Sequence, residues 1–127
     1  MGKYGSAAIK AVSYITKSYA SNPVEAWNNA TIEIFGKDTP SQKKGCPKGA
    51  FLGLCESGFI KGVKSGKYTN SIENKKYAVE AVKILKNNPQ MSKNEPELWF
   101  IVAGNKTHNQ QIDVVIALWN AQLILLK

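Results

Sequence analysis

The feature that most constrains this chain is a helix-length stretch with no polar flank to offer to water. Residues 41–56 run Ser-Gln-Lys-Lys-Gly-Cys-Pro-Lys-Gly-Ala-Phe-Leu-Gly-Leu-Cys-Glu, a basic loop passing directly into an apolar segment. A helix that is apolar around most of its circumference belongs in the middle of a fold, covered on every side. An edited copy of this architecture returns at residues 110–125. There Ile112, Val115, Ile116, Trp119 and Leu123 form one flank and Val114, Ala117, Leu118 and Ala121 the other. The remaining segments must surround two buried helices.

The rest of the chain reads as amphipathic helices with terminal signals. Residues 5–19 place Ala8, Ala11, Val12, Ile15 and Tyr19 on one face. Asn22, Pro23 and Glu25 form a capping box with proline at the first helical position, opening a helix to about Phe35 that buries Trp27, Ala30, Ile32 and Ile34. Gly36 stops it, and residues 36–45 form a polar loop. The third helix begins at Cys46 or its neighbour with Pro47 at its first position, and Gly58 is its left-handed stop. Residues 59–63 read as a short strand and residues 64–67 as a turn. Asn70 with Glu73 predicts a further capping box, for a helix to about Lys86 that buries Tyr77, Ala78, Ala81, Val82 and Leu85. The fifth helix starts at Asn94, with Glu97 three residues on, and buries Leu98, Trp99 and Val102 before Gly104. The sixth follows the loop 105–109, with Asn109, Gln110 and Asp113 at its start.

These elements predict a mostly α fold of about six helices in one domain over residues 1–127. The two halves also align: Asn22-Pro23-Val24-Glu25-Ala26-Trp27 with Asn94-Glu95-Pro96-Glu97-Leu98-Trp99, Gly36, Thr39 and Gln42 with Gly104, Thr107 and Gln110, and Phe51-Leu52-Gly53-Leu54 with Val115-Ile116-Ala117-Leu118. This predicts an internal repeat, residues 5–63 and 74–126, forming two pseudo-symmetric three-helix units. The strand-like ends 59–63 and 123–126 would pair as a small two-stranded ribbon.

Charge narrows the functional choices. The formal net charge is +8, and all 17 cationic residues are lysines. A basic excess favours anionic partners. The absence of arginine removes the planar fork used for bidentate reading of guanine and phosphate, which disfavours sequence-specific DNA recognition. No apolar run has the length of a signal peptide or a membrane span, so the expected location is cytoplasmic and no membrane partner is expected. Cys46 and Cys55 sit at opposite ends of one predicted helix, roughly 13 Å apart at 1.5 Å per residue. That is too far for a disulfide, so two free thiols are expected.

Two groups of residues are candidates for chemistry. Lys43, Lys44 and Lys48 run with Gln42 into a helix N-terminus, where free N–H groups and the helix dipole favour anions. Asn109 and Gln110 occupy the corresponding edge of the second half. Cys46 lies at the same helix start, and His108, the one histidine, falls in the equivalent loop of the other half. Together they make a candidate nucleophile and base. One histidine and two distant cysteines match no metal-ligand spacing, and no cofactor fingerprint is present.

The run from Cys46 to Gly58, with Gly2-Lys3-Tyr4-Gly5 and His108-Asn109-Gln110, resembles a group of short, uncharacterised bacterial proteins of unknown function. The resemblance implies one domain and no particular activity. The expectation is a non-enzymatic intracellular binding or adaptor protein that meets a protein partner or a nucleic-acid backbone through the lysine-rich loop face. The alternatives are a winged-helix-like DNA-binding protein, with the second and third helices as helix-turn-helix and 59–63 as wing, and a cysteine-dependent enzyme using Cys46 and His108.

Overall fold

The computed structural model describes residues 2–125. It contains α1 (Lys3–Thr16), α2 (Pro23–Phe35), α3 (Gly45–Glu56), α4 (Ile72–Asn87), α5 (Glu95–Ala103) and α6 (Gln111–Asn120), with a 3-10 turn, Pro89–Lys93, between α4 and α5. The fold is mostly α. The expected ribbon is reduced to one antiparallel bridge, Ile60 with Ile124, flanked by Lys61 N–H to the Leu123 carbonyl and Leu125 N–H to the Phe59 carbonyl, both 2.8 Å. The last position expected in the ribbon, Leu126, lies outside the described residues.

α3 occupies the centre, with Pro47 and residues 49–55 all buried. It packs on α2, α4 and α6, while α6 packs on α1, α3, α4 and α5. Trp27 stacks on Phe51 at 5.2 Å between ring centroids. On the α4 side the helices approach through glycine. A Cβ at Gly53 would lie 2.6 Å from Lys75 Cα, and one at Gly49 would lie 2.9 Å from Asn74 Cβ and Ser71 Oγ. A larger residue at Gly53 would have to move the α4 backbone, and one at Gly49 the Ser71 and Asn74 side chains. Glu56, at the end of α3, locks the crossing. Its carboxylate accepts Tyr68 N–H at 2.7 Å, Thr69 N–H at 3.2 Å and the Lys75 ammonium at 2.5 Å, with Lys67 at 3.6 Å.

Several expectations are corrected at helix ends and on helix faces. α1 begins at Lys3 and ends at Thr16, because Ser18 turns left-handed (φ 62°), so Tyr19 is 70% exposed; Ile15 is only partly buried, and Ala7 joins Ala8, Ala11 and Val12 in the core. On α2 the inner face is Pro23, Ala26, Trp27, Ala30 and Thr31, whereas Ile32 and Ile34 are only partly buried. Pro47 is the third helical residue of α3, since the helix starts at Gly45. The Asn70 box does not form. α4 starts at Ile72 after Ser71, and Glu73 turns instead to Lys106 and the Tyr77 hydroxyl. The caps at Asn22 and Asn94 do form, each accepting the N–H three residues on, at 2.9 and 3.3 Å. Val102 is only partly buried, and Phe100 and Ile101 on the same helix are exposed.

Substituting Gly53→Ala is expected to destabilise the protein by roughly 1–3 kcal/mol, the usual cost of forcing a methyl into a packed contact. Gly45→Ala, where a Cβ meets nothing within 4 Å, should leave stability within about 0.5 kcal/mol. Urea denaturation of the two variants beside the parent measures both.

Candidate functional site

The loop 36–44 is built around Gln42. This side chain is buried, its Nε2 donating to Thr31 Oγ1 and its Oε1 accepting Asp38 N–H, both at 3.2 Å. Thr31 in turn donates to the Trp27 carbonyl at 2.9 Å, so α2's inner face holds the loop. Gln42 therefore shapes the loop from inside instead of presenting an edge. The loop is also tied to α1, where the Tyr4 hydroxyl donates to the Ser41 carbonyl at 2.9 Å and the Lys44 ammonium lies 5.8 Å from the Tyr4 ring centre.

Lys43 and Lys44 are thereby displayed differently. Lys43 is exposed with Asp38 3.9 Å away, a long surface pair that is worth little. Lys44 is partly buried, and neither it nor Lys48 has an acidic partner among the described residues. Lys48 lines a separate cleft of about 290 Å³ with Tyr68, Asn70 and Ser71.

The N-terminal turns of α1, α6, α4 and α3 are linked to one another. Asp113, in the first turn of α6, accepts Gly5 N–H from the first turn of α1 at 3.3 Å. Gln111, at the start of α6, donates to Asn74 Oδ1 in the first turn of α4 at 3.0 Å. Asn74 and Ser71 lie against Gly49 in the second turn of α3. Each helix start carries partial positive charge, and Lys44 is near enough to contribute to the electrostatics of the His108 ring.

His108 is engaged at both nitrogens. Nε2 accepts the Ile112 N–H at 3.2 Å, capping α6. The proton of the neutral ring is then on Nδ1, 3.4 Å from Glu95 Oε1 in the first turn of α5. The ring also packs on Trp99 at 5.0 Å between centroids, and the Trp99 indole N–H donates to the Lys106 carbonyl. Burial lowers its pKa below the ordinary histidine value, reinforced by Lys44 and opposed by Glu95 and Asp113. No lone pair is left to take a proton from Cys46, so the expected nucleophile and base are not assembled. Cys55, the other free thiol, is buried, and desolvation pushes its pKa up. No cluster of His, Cys, Asp or Glu fit for a metal ion occurs among the described residues.

The second loop uses its shared residues differently from the first. Gln110 is left-handed (φ 73°) and makes no side-chain cap, while Asn109 N–H donates to Gln111 Oε1 at 2.8 Å. The buried amide here is Gln111, which the sequence reading passed over. Glu56 and the link from Asp113 to α1 are likewise unmarked in the sequence. Those partners lie 12 or more residues away, and no local spacing signals them.

Because the folded state favours neutral His108, the unfolded chain binds the extra proton as pH falls below about 6.5. The stability this residue contributes should be complete above that pH and decline toward pH 5. His108→Ala should lose that dependence and about 1 kcal/mol at pH 7.5, the worth of a helix cap. Glu56 acts lower. Its hydrogen bond to Lys75, supported by the two backbone N–H groups, holds its pKa at about 2, so its contribution is lost as pH falls from 4.5 toward 2. Thermal melts from pH 8 to pH 2 on the parent, His108→Ala and Glu56→Gln separate the two.

No curated protein and no solved structure matches this chain. Residues 1–125 match a family described as a family of unknown function, DUF6979. With the match covering all but the last two positions, the chain belongs to that family.

Proposed function

We propose that this protein is a non-enzymatic binding or adaptor protein of the cytoplasm that engages another macromolecule through the face formed by loop 36–44 and the surrounding helix starts. The observation that carries this reading is the placement of Lys44 and Lys48, free of acidic partners among the described residues, beside the first turns of α1, α4 and α6. Lysine charge and helix dipoles then act in the same direction, toward an acidic surface. A protein partner fits better than specifically read DNA, since lysine supplies a point charge without the bidentate fork of arginine. Two free thiols suit a reducing compartment. No helix among the described residues is long and apolar enough to cross a membrane.

The winged-helix reading has less support. The helix that would enter the major groove, α3, is buried along most of its length, and nine residues separate it from α2. The repeat reading draws support from matched ends. α3 and α6 both close with the same pair of bonds, Phe59 N–H to the Leu54 carbonyl and Gly58 N–H to Cys55, against Leu123 N–H to Leu118 and Gln122 N–H to Trp119. We infer a duplicated three-helix unit from this correspondence and from the paired asparagine caps.

The test is retention on immobilised heparin, a polyanion that stands in for an acidic partner, across a salt gradient. The Lys43→Ala, Lys44→Ala, Lys48→Ala triple variant should elute at clearly lower salt than the parent, with an unchanged melting temperature. A control that removes three exposed lysines elsewhere, Lys76, Lys83 and Lys93, should shift less. Equal shifts for the two variants would overturn the assignment of this face.

A further inference from the structure

The C-terminal end of α6 carries an arrangement that the loop face does not use. α3 and α6 both end in a left-handed residue. In α3 that residue is Gly58 (φ 76°), and in α6 it is Gln122 (φ 61°). Glycine takes this conformation at little steric cost, asparagine and aspartate at some, and a longer side chain such as glutamine less readily. Stability alone favours glycine at both positions. Gln122 instead lines an open cleft of about 470 Å³ together with Lys61, Trp119, Asn120 and Ile124.

The lining is chemically specific. Trp119 is only partly buried, unlike the fully buried Trp27. Among the described residues, the side-chain amides of Asn120 and Gln122 and the ammonium of Lys61 have no partner. Lys61 is the charged residue of this lining, and Asn120 is shared with a neighbouring cleft that Glu95 and Asp113 border. Gly62 lies against Thr16, so close that a Cβ there would meet Thr16 Cγ2 at 2.8 Å, which brings the end of α1 and Lys17 up to the loop that holds Lys61 and Lys64. None of these three lysines has an acidic partner among the described residues.

We propose that this cleft binds single-stranded nucleic acid: one base stacks on Trp119, the amides of Asn120 and Gln122 meet its polar edge, and the flanking phosphates lie toward Lys61, Lys64 and Lys17. An indole beside amides also suits a sugar ring, but three unpaired ammonium groups favour a polyanion. The lack of arginine does not count against this site. Stacking on an aromatic face tolerates any base, and a phosphate needs only a point charge. The site is separate from the loop face, and either can fail without the other.

The experiment titrates an oligothymidylate of about ten nucleotides, long enough for one such site, into the full chain. It follows tryptophan fluorescence, and the anisotropy of a labelled strand, across a salt series. Binding should quench the fluorescence. Trp119→Ala should weaken binding about tenfold or more, the loss of one stacked base. Lys61→Ala should reduce the slope of log K against log salt by about 0.7, the value for one phosphate on a single strand. Gln122→Gly should melt at higher temperature than the parent yet bind more weakly, a combination that misfolding cannot produce. The Lys43, Lys44, Lys48 triple variant should still bind and still quench at low salt, and the Lys76, Lys83, Lys93 variant should bind as the parent does. The proposal is overturned by undiminished affinity in Trp119→Ala, by loss of binding in the Lys43, Lys44, Lys48 variant alone, or by quenching with a neutral oligosaccharide and none with the oligonucleotide.

Discussion

The close approach of α3 to α4 is the contact on which the other helices depend. Gly49 and Gly53 bring the α3 backbone against the first turn of α4, and Glu56 fixes the crossing through two backbone N–H groups and the Lys75 ammonium. Two helix-interior glycines each cost roughly 1 kcal/mol against alanine in local propensity. That loss is tolerable only where close packing returns dispersion contacts along the whole crossing. Once α4 lies this close on one side, α6 and α2 can cover the others, and a helix with no polar flank becomes a stable centre.

What the sequence made legible was what is local. The burial of α3, the inner face of α4, and the caps at Asn22 and Asn94 are set by periodicity and by spacings of three or four residues, and they appear as read, whereas α6 leaves Ile116 and Trp119 partly buried and Ala121 exposed. Local signals misled where a tertiary partner outbid them. Glu73 could have closed a box with Asn70, but Lys106 and Tyr77 offer its carboxylate a charged and a hydroxyl donor. Tyr19 has the right spacing for α1's core face, yet the helix ends three residues before it. Ile32 is apolar but falls on the wrong side of α2, where the smaller Thr31 takes the buried place because its hydroxyl can bond back to Trp27. The two candidate functional regions divide in the same way. Lys43, Lys44 and Lys48 were legible as a cluster in sequence, whereas the linkage of the α1, α4 and α6 starts depends on contacts spanning most of the chain.

The histidine illustrates why residue types alone do not define chemistry. His108 and Cys46 are a familiar pair in hydrolases, but a general base needs a free lone pair. Here one nitrogen caps α6 and the other faces Glu95. The ring acts as a connector between the first turns of α5 and α6, and its tilted packing on Trp99 extends the connection to the Lys106 carbonyl. Lys106 then reaches Glu73 on α4.

That chain of polar contacts explains how the least buried helix keeps its place. α2 settles five residues into the core, whereas α5 settles only Leu98 and Trp99 and leaves Phe100 and Ile101 half or more exposed. With so little apolar area removed from water, α5 gains less from the hydrophobic effect than α2. Its position is set instead by directional bonds at its start and just beyond its end: the Asn94 cap, Glu95 with His108, and the Trp99 indole with Lys106. Directional bonds fix geometry but contribute little net stability each. The α5 region is therefore well placed in the native state while lying toward the low-stability end of the fold, where local opening begins. The loop that carries His108 leads from α5 directly into α6, so any partner that orders α5 also secures the α6 start beside Lys44.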